Sequence, residues 1–120
     1  MVDYDNLVSS PLSIYGEISG VDSGIPTRIA SYKVPKSRVF WLSKIDVSGD
    51  NVSEYAFIVN SITWDKKFSS FFQYSLTFDF YNFGNGFSFS QNTMLEIWVT
   101  HNRPTPGSFN ARIQGMLVGT

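Results

Sequence analysis

The sequence contains no cysteine and one histidine. Without cysteine there is no disulfide framework, no thiolate nucleophile and no soft-metal ligand, and His101 has no second histidine or cysteine to complete a zinc site. Charge of either sign is also scarce: nine basic against ten acidic residues leave a net charge of −1, too weak a field to collect nucleic acid. No run approaches the roughly 18 apolar residues of a membrane helix. The first ten residues carry Asp3 and Asp5 where a basic and then apolar leader would stand. These absences predict a chain with no signal peptide, no membrane span, no metal and no cofactor; the lack of cysteine fits synthesis in a reducing cytoplasm and equally a particle assembled there and released later.

What the chain has in quantity is aromatic side chain, 17% of 120 residues. Each ring buries far more apolar area than an alanine would, so one domain of this length can hold a large core at modest hydropathy. The dominant pattern has period two. Tyr74, Leu76, Phe78 and Phe80 alternate with polar neighbours, as do Leu95, Ile97 and Val99, and Phe109, Ala111, Ile113, Gly115 and Leu117. Trp98 falls on the second face of its strand, which predicts that this face is covered too. Turn signals separate the runs at Ser19-Gly20 with Ser23-Gly24, at Val34-Pro35-Lys36-Ser37, at Ser48-Gly49-Asp50-Asn51, at Gly84-Asn85-Gly86 and at Arg103-Pro104-Thr105-Pro106-Gly107.

No window shows a capped 3.6 period, and parallel sheets need crossovers for which there is no room. Eight strands are expected, over residues 12–18, 28–34, 39–47, 54–60, 62–66, 72–81, 94–101 and 109–118. Eight is the number of a jelly roll, so the predicted fold is an all-β, antiparallel, eight-stranded jelly-roll-like β-sandwich over residues 11–120. An immunoglobulin-type sandwich is the alternative, with Trp41 as its one signal and no cysteine pair to support it. Residues 1–10 show little periodicity and are expected to form a flexible arm.

Chemistry-bearing residues do not assemble into a catalytic site. His101, beside a turn, is expected at a strand end in solvent, and no Gly-x-Ser-x-Gly elbow accompanies the serines. Asp46, Ser48, Asp50 and Asn51 begin like a calcium loop, but the twelfth position is Phe57 where a bidentate glutamate is required. Asp79 and Glu96 could lie on neighbouring strands, on outward faces where solvated acids are ordinary. Arg28, Lys33, Lys36, Arg38 and Lys44 form a basic stretch that fits a solvated sheet edge better than a nucleic-acid site. The chain is expected not to be an enzyme.

The aromatic density between Trp64 and Phe89 exceeds what one small core hides, so part of it is expected to meet a partner, and symmetric self-association is the commonest cover. The expected interface is Tyr4 and Leu7 of the arm with Trp64, Phe68, Phe71, Phe72, Phe83 and Phe87. A sugar-stacking platform, with Asn82, Asn85 or Gln91 behind the rings, is the alternative use of the same residues.

Ile29-Ala30-Ser31-Tyr32-Lys33-Val34-Pro35, Leu42-Ser43-Lys44-Ile45-Asp46-Val47-Ser48-Gly49-Asp50, Tyr55-Ala56-Phe57-Ile58-Val59, Leu95-Glu96-Ile97-Trp98-Val99 and Gly107-Ser108-Phe109-Asn110-Ala111-Arg112-Ile113-Gln114-Gly115 occur in an order that resembles small virion-associated jelly-roll proteins of tailed bacteriophages. The resemblance covers about three quarters of the chain and consists of strand patterns without catalytic signatures. It implies a virion structural protein synthesised in the host cytoplasm: a capsid decoration (cement) subunit or tail component that contacts the major capsid or tail proteins of its particle. It also implies a homo-oligomer, often a trimer. A carbohydrate- or receptor-binding module of a tail fibre or baseplate is the second role it leaves open.

Overall fold

Alternating runs become paired strands in a computed structural model that describes residues 8–50, 52–69, 74–77 and 88–119, with the backbone alone for Val8 and residues 66–69. The strands are β1 (Val8–Val21), β2 (Thr27–Lys33), β3 (Arg38–Gly49), β4 (Ser53–Val59), β5 (Ile62–Ser69), β6 (Tyr74–Thr77), β7 (Ser88–Phe89), β8 (Met94–His101) and β9 (Gly107–Gly119). Sheet A has the order β1-β9-β3-β6, with β7 also on β3, and sheet B has the order β2-β8-β4-β5. All pairings are antiparallel. Successive strands up to β4 lie in alternate sheets or cross between them, as the double Greek key of a jelly roll requires.

Among the described residues nine strands replace the expected eight, and the extra one has a specific origin. β6 pairs Lys44 to Val47 of β3 with Thr77 to Tyr74, while β7 pairs Phe40 and Trp41 with Phe89 and Ser88. The two are fragments of one strand position, which preserves the eight-position topology. Two boundaries also move. Val8, Ser9 and Ser10 pair with Gly119, Val118 and Leu117, so they belong to β1 and not to an arm. The expected turn at Ser19-Gly20 is a register irregularity between Ile18 and Val21 inside β1, with Gly20 at φ 69°, a conformation open to glycine. The chain reverses at Ser23-Gly24 instead. Residues 1–7 and 78–87, with Phe78, Phe80 and the turn expected at Gly84-Asn85-Gly86, lie outside the described residues.

The inner faces interleave as the period-two reading requires. Phe40, Leu42, Ile45 and Val47 of β3 and Phe109, Ala111 and Ile113 of β9 face Tyr55 and Phe57 of β4 and Leu95, Ile97 and Val99 of β8, all buried. The phase of β3 changes at Ser43, where the register slips between Leu42 and Lys44; Ile45 and Val47 therefore stay inside although they are odd-numbered and Leu42 is even. Each fully buried Phe, Leu or Ile contributes roughly 1.5–3 kcal/mol. Between the sheets, Ile45, Val47, Tyr55, Phe57, Leu76 and Ile97 line a cavity of about 20 Å³, room for one water at most.

Tyr55 is the polar exception in this core. Its ring meets Phe109 edge-on at 6.2 Å, and its hydroxyl is buried with no hydrogen-bond partner. Burial first, and the Asp50 carboxylate second, raise its phenol well above the ordinary value of 10.0. Such a folded-state increase favours folding below the unfolded value and is lost as the pH climbs beyond it. Tyr55→Phe is therefore expected to leave neutral-pH stability unchanged or raise it by about 1 kcal/mol, and to flatten the alkaline decline that begins near pH 10. Urea midpoints at neutral pH and above pH 10 check both parts; a marked loss at neutral pH would contradict the unpartnered hydroxyl.

Candidate interaction surfaces

The outer face of sheet A divides along the strands into a polar and an apolar half. In the polar half, Tyr15 of β1 aligns with Arg112 of β9, Asp46 of β3 and Ser75 of β6. The Arg112 guanidinium lies 5.4 Å from the Tyr15 ring centre, Ser75 donates to Asp46 at 2.6 Å, and Lys44 sits 3.5 Å from the same carboxylate. One row further, the Ser48 hydroxyl donates to Asn110 Oδ1 at 2.7 Å. The amide of Ser108 donates to Asp50 Oδ2 at 3.1 Å. The oxygens that resembled the start of a calcium loop are thus engaged across strands, with Asn51 outside the described residues. Among the described residues no three His, Asp or Glu gather as a metal site.

In the apolar half, Pro11, Met116 and Trp41 stand side by side on β1, β9 and β3, and the next row holds Val118 and Val39. Trp41 lies between the buried Phe40 and Leu42, so alternation turns its ring outward. Val39 is 37% exposed. A shallow groove of about 390 Å³, lined by Pro11, Ser13, Ser43, Gln114 and Met116, runs beside this row. Five apolar residues from three strands therefore form one patch on a face that is otherwise hydrogen-bonded and charged.

Sheet B offers less. Trp98 does point outward, between Arg28 and Ala56, and is half-buried with its Nε1 enclosed and unpaired. No strand among the described residues packs over it, so the expected cover is not supplied by this part of the chain. Arg28 pairs with Glu96 at 3.2 Å. The basic stretch is dispersed: Arg28 and Lys33 lie on edge strand β2, Lys36 in the following turn, Arg38 at the start of β3 and Lys44 on sheet A. That distribution fits the solvated reading. Glu96 is bound to Arg28, while its suggested partner Asp79 lies outside the described residues.

Of the eight expected interface residues, Trp64 alone has a described side chain. Its register places it at the irregularity between Phe57 and Ile58, and its ring meets Phe57 at 5.2 Å and Phe89 at 5.7 Å, both edge-on. The ring thus bridges the β5 edge of sheet B to the β7 edge of sheet A, while 39% of the residue stays exposed. Phe68 has a described backbone only, and Tyr4, Leu7, Phe71, Phe72, Phe83 and Phe87 lie outside the described residues, as do Asn82 and Asn85. Gln91 accepts from the Ser37 amide at 2.7 Å, a contact that pins the β2–β3 turn. The patch built from Pro11, Met116 and Trp41 escaped the sequence reading because its members are far apart in the chain.

His101 is a correction. It is 1% exposed, not in solvent. The Arg103 amide donates to Nδ1 at 3.2 Å, which assigns the ring hydrogen to Nε2, and Nε2 donates to the Val21 carbonyl at 2.6 Å. Both ring nitrogens are engaged by backbone, so the residue has a structural place and no open coordination position.

No family model matches the chain, and no curated protein matches it in sequence. Among solved structures it is similar to the CBM36-1 domain of a multidomain xylanase from the hindgut metagenome of Trinervitermes trinervoides, at 12% identity over 92% of this chain and 98% of that one, with a TM-score of 0.46. It is similar to a chain of the cyanophage Pam1 capsid, at 11% identity over 90% of this chain and 85% of that one, with a TM-score of 0.47. A third likeness is to the capsid of Helicobacter pylori bacteriophage KHP30, at 10% identity over 91% of each chain, with a TM-score of 0.39.

Proposed function

We propose that this chain is a non-enzymatic structural subunit of a phage virion, a capsid decoration protein that docks on neighbouring capsid or tail proteins. The observation that supports docking is the row of Pro11, Met116, Val118 and Val39, apolar residues that register sets side by side on the outer face of sheet A. Such an area costs hydration while it faces water and gains when another surface covers it. The particle is suggested by the strand patterns that resemble small phage jelly-roll proteins. Strands already paired into a sheet need less ordering on contact and so retain more burial free energy as affinity, and repeated sites on a shell multiply it.

The test is co-sedimentation with shells assembled from the major capsid protein of the same genome. The wild-type chain is expected to pellet with them. Val39→Lys combined with Met116→Lys should weaken binding by tenfold or more while the circular dichroism and melting profile stay unchanged, because both side chains stand on the outer face. A chain that ignores shells and tails, or a double variant that binds equally well, overturns the proposal. The competing glycan-binding role has its own readout: array binding that disappears with Trp64→Ala would replace this reading.

A further inference from the structure

β1 is the longest strand, 14 residues, and among the described residues it pairs along one side only, with β9. Among the described residues no strand pairs with its other side, so the backbone donors and acceptors there have no ladder partner, while β2 packs against its inner face at Gly16. The direction of those groups follows from two bonds. The Ser43 hydroxyl donates to the Gln114 carbonyl at 3.1 Å, and the Asp50 amide donates to the Ser108 carbonyl at 3.2 Å, so these even-numbered residues of β9 turn their backbone toward β3. Ser13, opposite Gln114, consequently turns its amide and carbonyl to the open edge, and alternation gives Ser9, Tyr15 and Glu17 the same direction. Pro11 shares it, which is why a residue without an N–H leaves the β1–β9 ladder intact.

Edge strands are ordinarily protected by charge. β2 carries Arg28 and Lys33 in seven residues, and β5 carries Asp65, Lys66 and Lys67 in eight. β1 carries Glu17 alone. The longest open edge is the least defended, and its side chains complement themselves. Pairing Tyr15 with Tyr15 of a second copy, antiparallel about a two-fold axis, sets Ser13 against Glu17 and Pro11 against Ser19 on the outer face. On the inner face it sets Leu12 against Ile18 and Ile14 against Gly16. No like charges meet, and Pro11 withholds its missing donor from the end where β1 already departs from regular register after Ile18. Leu12, Ile14 and Ile18 are only partly buried against the core, and this register covers them.

We infer that β1 is a self-association strand, through which two copies join sheet A edge to edge into one continuous sheet. This is a two-fold contact, distinct from the trimer that the phage resemblance implies, and it does not depend on particle binding: either can fail while the other stands.

Because the chain has no cysteine, single-cysteine variants report the register directly. Facing Tyr15 positions would have Cα atoms about 5.5 Å apart, within disulfide reach. The two Glu17 positions would be separated by four residues along the strands, roughly 14 Å, beyond it. Wild-type protein is expected to sediment as a dimer. Under mild oxidation Tyr15→Cys should form a covalent dimer at least tenfold faster than Glu17→Cys, and mixed Ser13→Cys and Glu17→Cys proteins should yield the mixed disulfide in preference to either symmetric one. The mixed pair serves should Tyr15→Cys fold poorly. A monomer at every concentration, or cross-linking of Glu17→Cys as fast as Tyr15→Cys, overturns the inference.

Discussion

Replacement of His101 by leucine is expected to lower the unfolding free energy by about 3 kcal/mol, the cost of stranding buried backbone groups. The ring closes one end of the sandwich from three directions. Nε2–H donates to the Val21 carbonyl at 2.6 Å, Nδ1 accepts from the Arg103 amide at 3.2 Å, and the ring lies 5.5 Å from that of Phe109. The residue's own carbonyl accepts from the Gly24 amide at 2.7 Å. Leucine would retain much of the apolar contact with Phe109 yet offer nothing to Val21 or Arg103. Water cannot substitute where the side chain is 1% exposed. Glutamine, which can still donate and accept, should recover part of the loss. Urea unfolding of the three proteins checks the order; a leucine variant within 0.5 kcal/mol of wild type, the usual range for surface changes, would show that these bonds contribute little.

His101 also shows what sequence could and could not reveal. Its strand was legible: alternation set β8 at residues 94–101, with Leu95, Ile97 and Val99 inward and Trp98 outward, as found. A histidine beside Asn102 and Arg103 nevertheless looks solvated, because the group that enclosed it, Val21, is 80 residues away. The same limit hid the apolar patch. Met116 and Trp41 belong to runs whose inner-face periodicity dominates, and only the register of β1, β9 and β3 brings them beside Pro11. Irregularities account for the remaining differences. A slipped residue reverses every side chain beyond it, so Ser43 in β3 and the break near Trp64 in β5 were invisible to a strict period of two. Trp64 accordingly caps the sandwich edge against Phe57 and Phe89 as well as facing solvent, a dual position that composition alone could not assign.

The second large effect is expected at Gly16, where the two sheets converge. β1 and β2 are edge strands of opposite sheets, and sheets packed face to face usually lie about 10 Å apart, separated by side chains. At Gly16 that separation collapses. A Cβ built there would stand 2.2 Å from the Ile29 carbonyl oxygen and 2.9 Å from the Ala30 Cβ. The nearest neighbour is backbone, so no rotamer change relieves the overlap, and the edges would have to part. Parting them would expose Ile29 and Ala30, which are 7% and 6% exposed, and loosen the half-buried Ile14 and Ile18. Gly16→Ala is therefore expected to cost about 3 kcal/mol, the upper end of ordinary overpacking, and Gly16→Val more. Ser13→Ala, on the outer face of the same strand, should stay within about 0.5 kcal/mol of wild type. Hydrogen exchange separates the mechanism from a general loss of stability. In Gly16→Ala, the amides of β1 and β2 should lose protection before those of β3, β8 and β9, since the overlap acts on one edge of the sandwich and leaves its centre packed. Uniform loss across both sheets would place the strain elsewhere than in the closure of that edge.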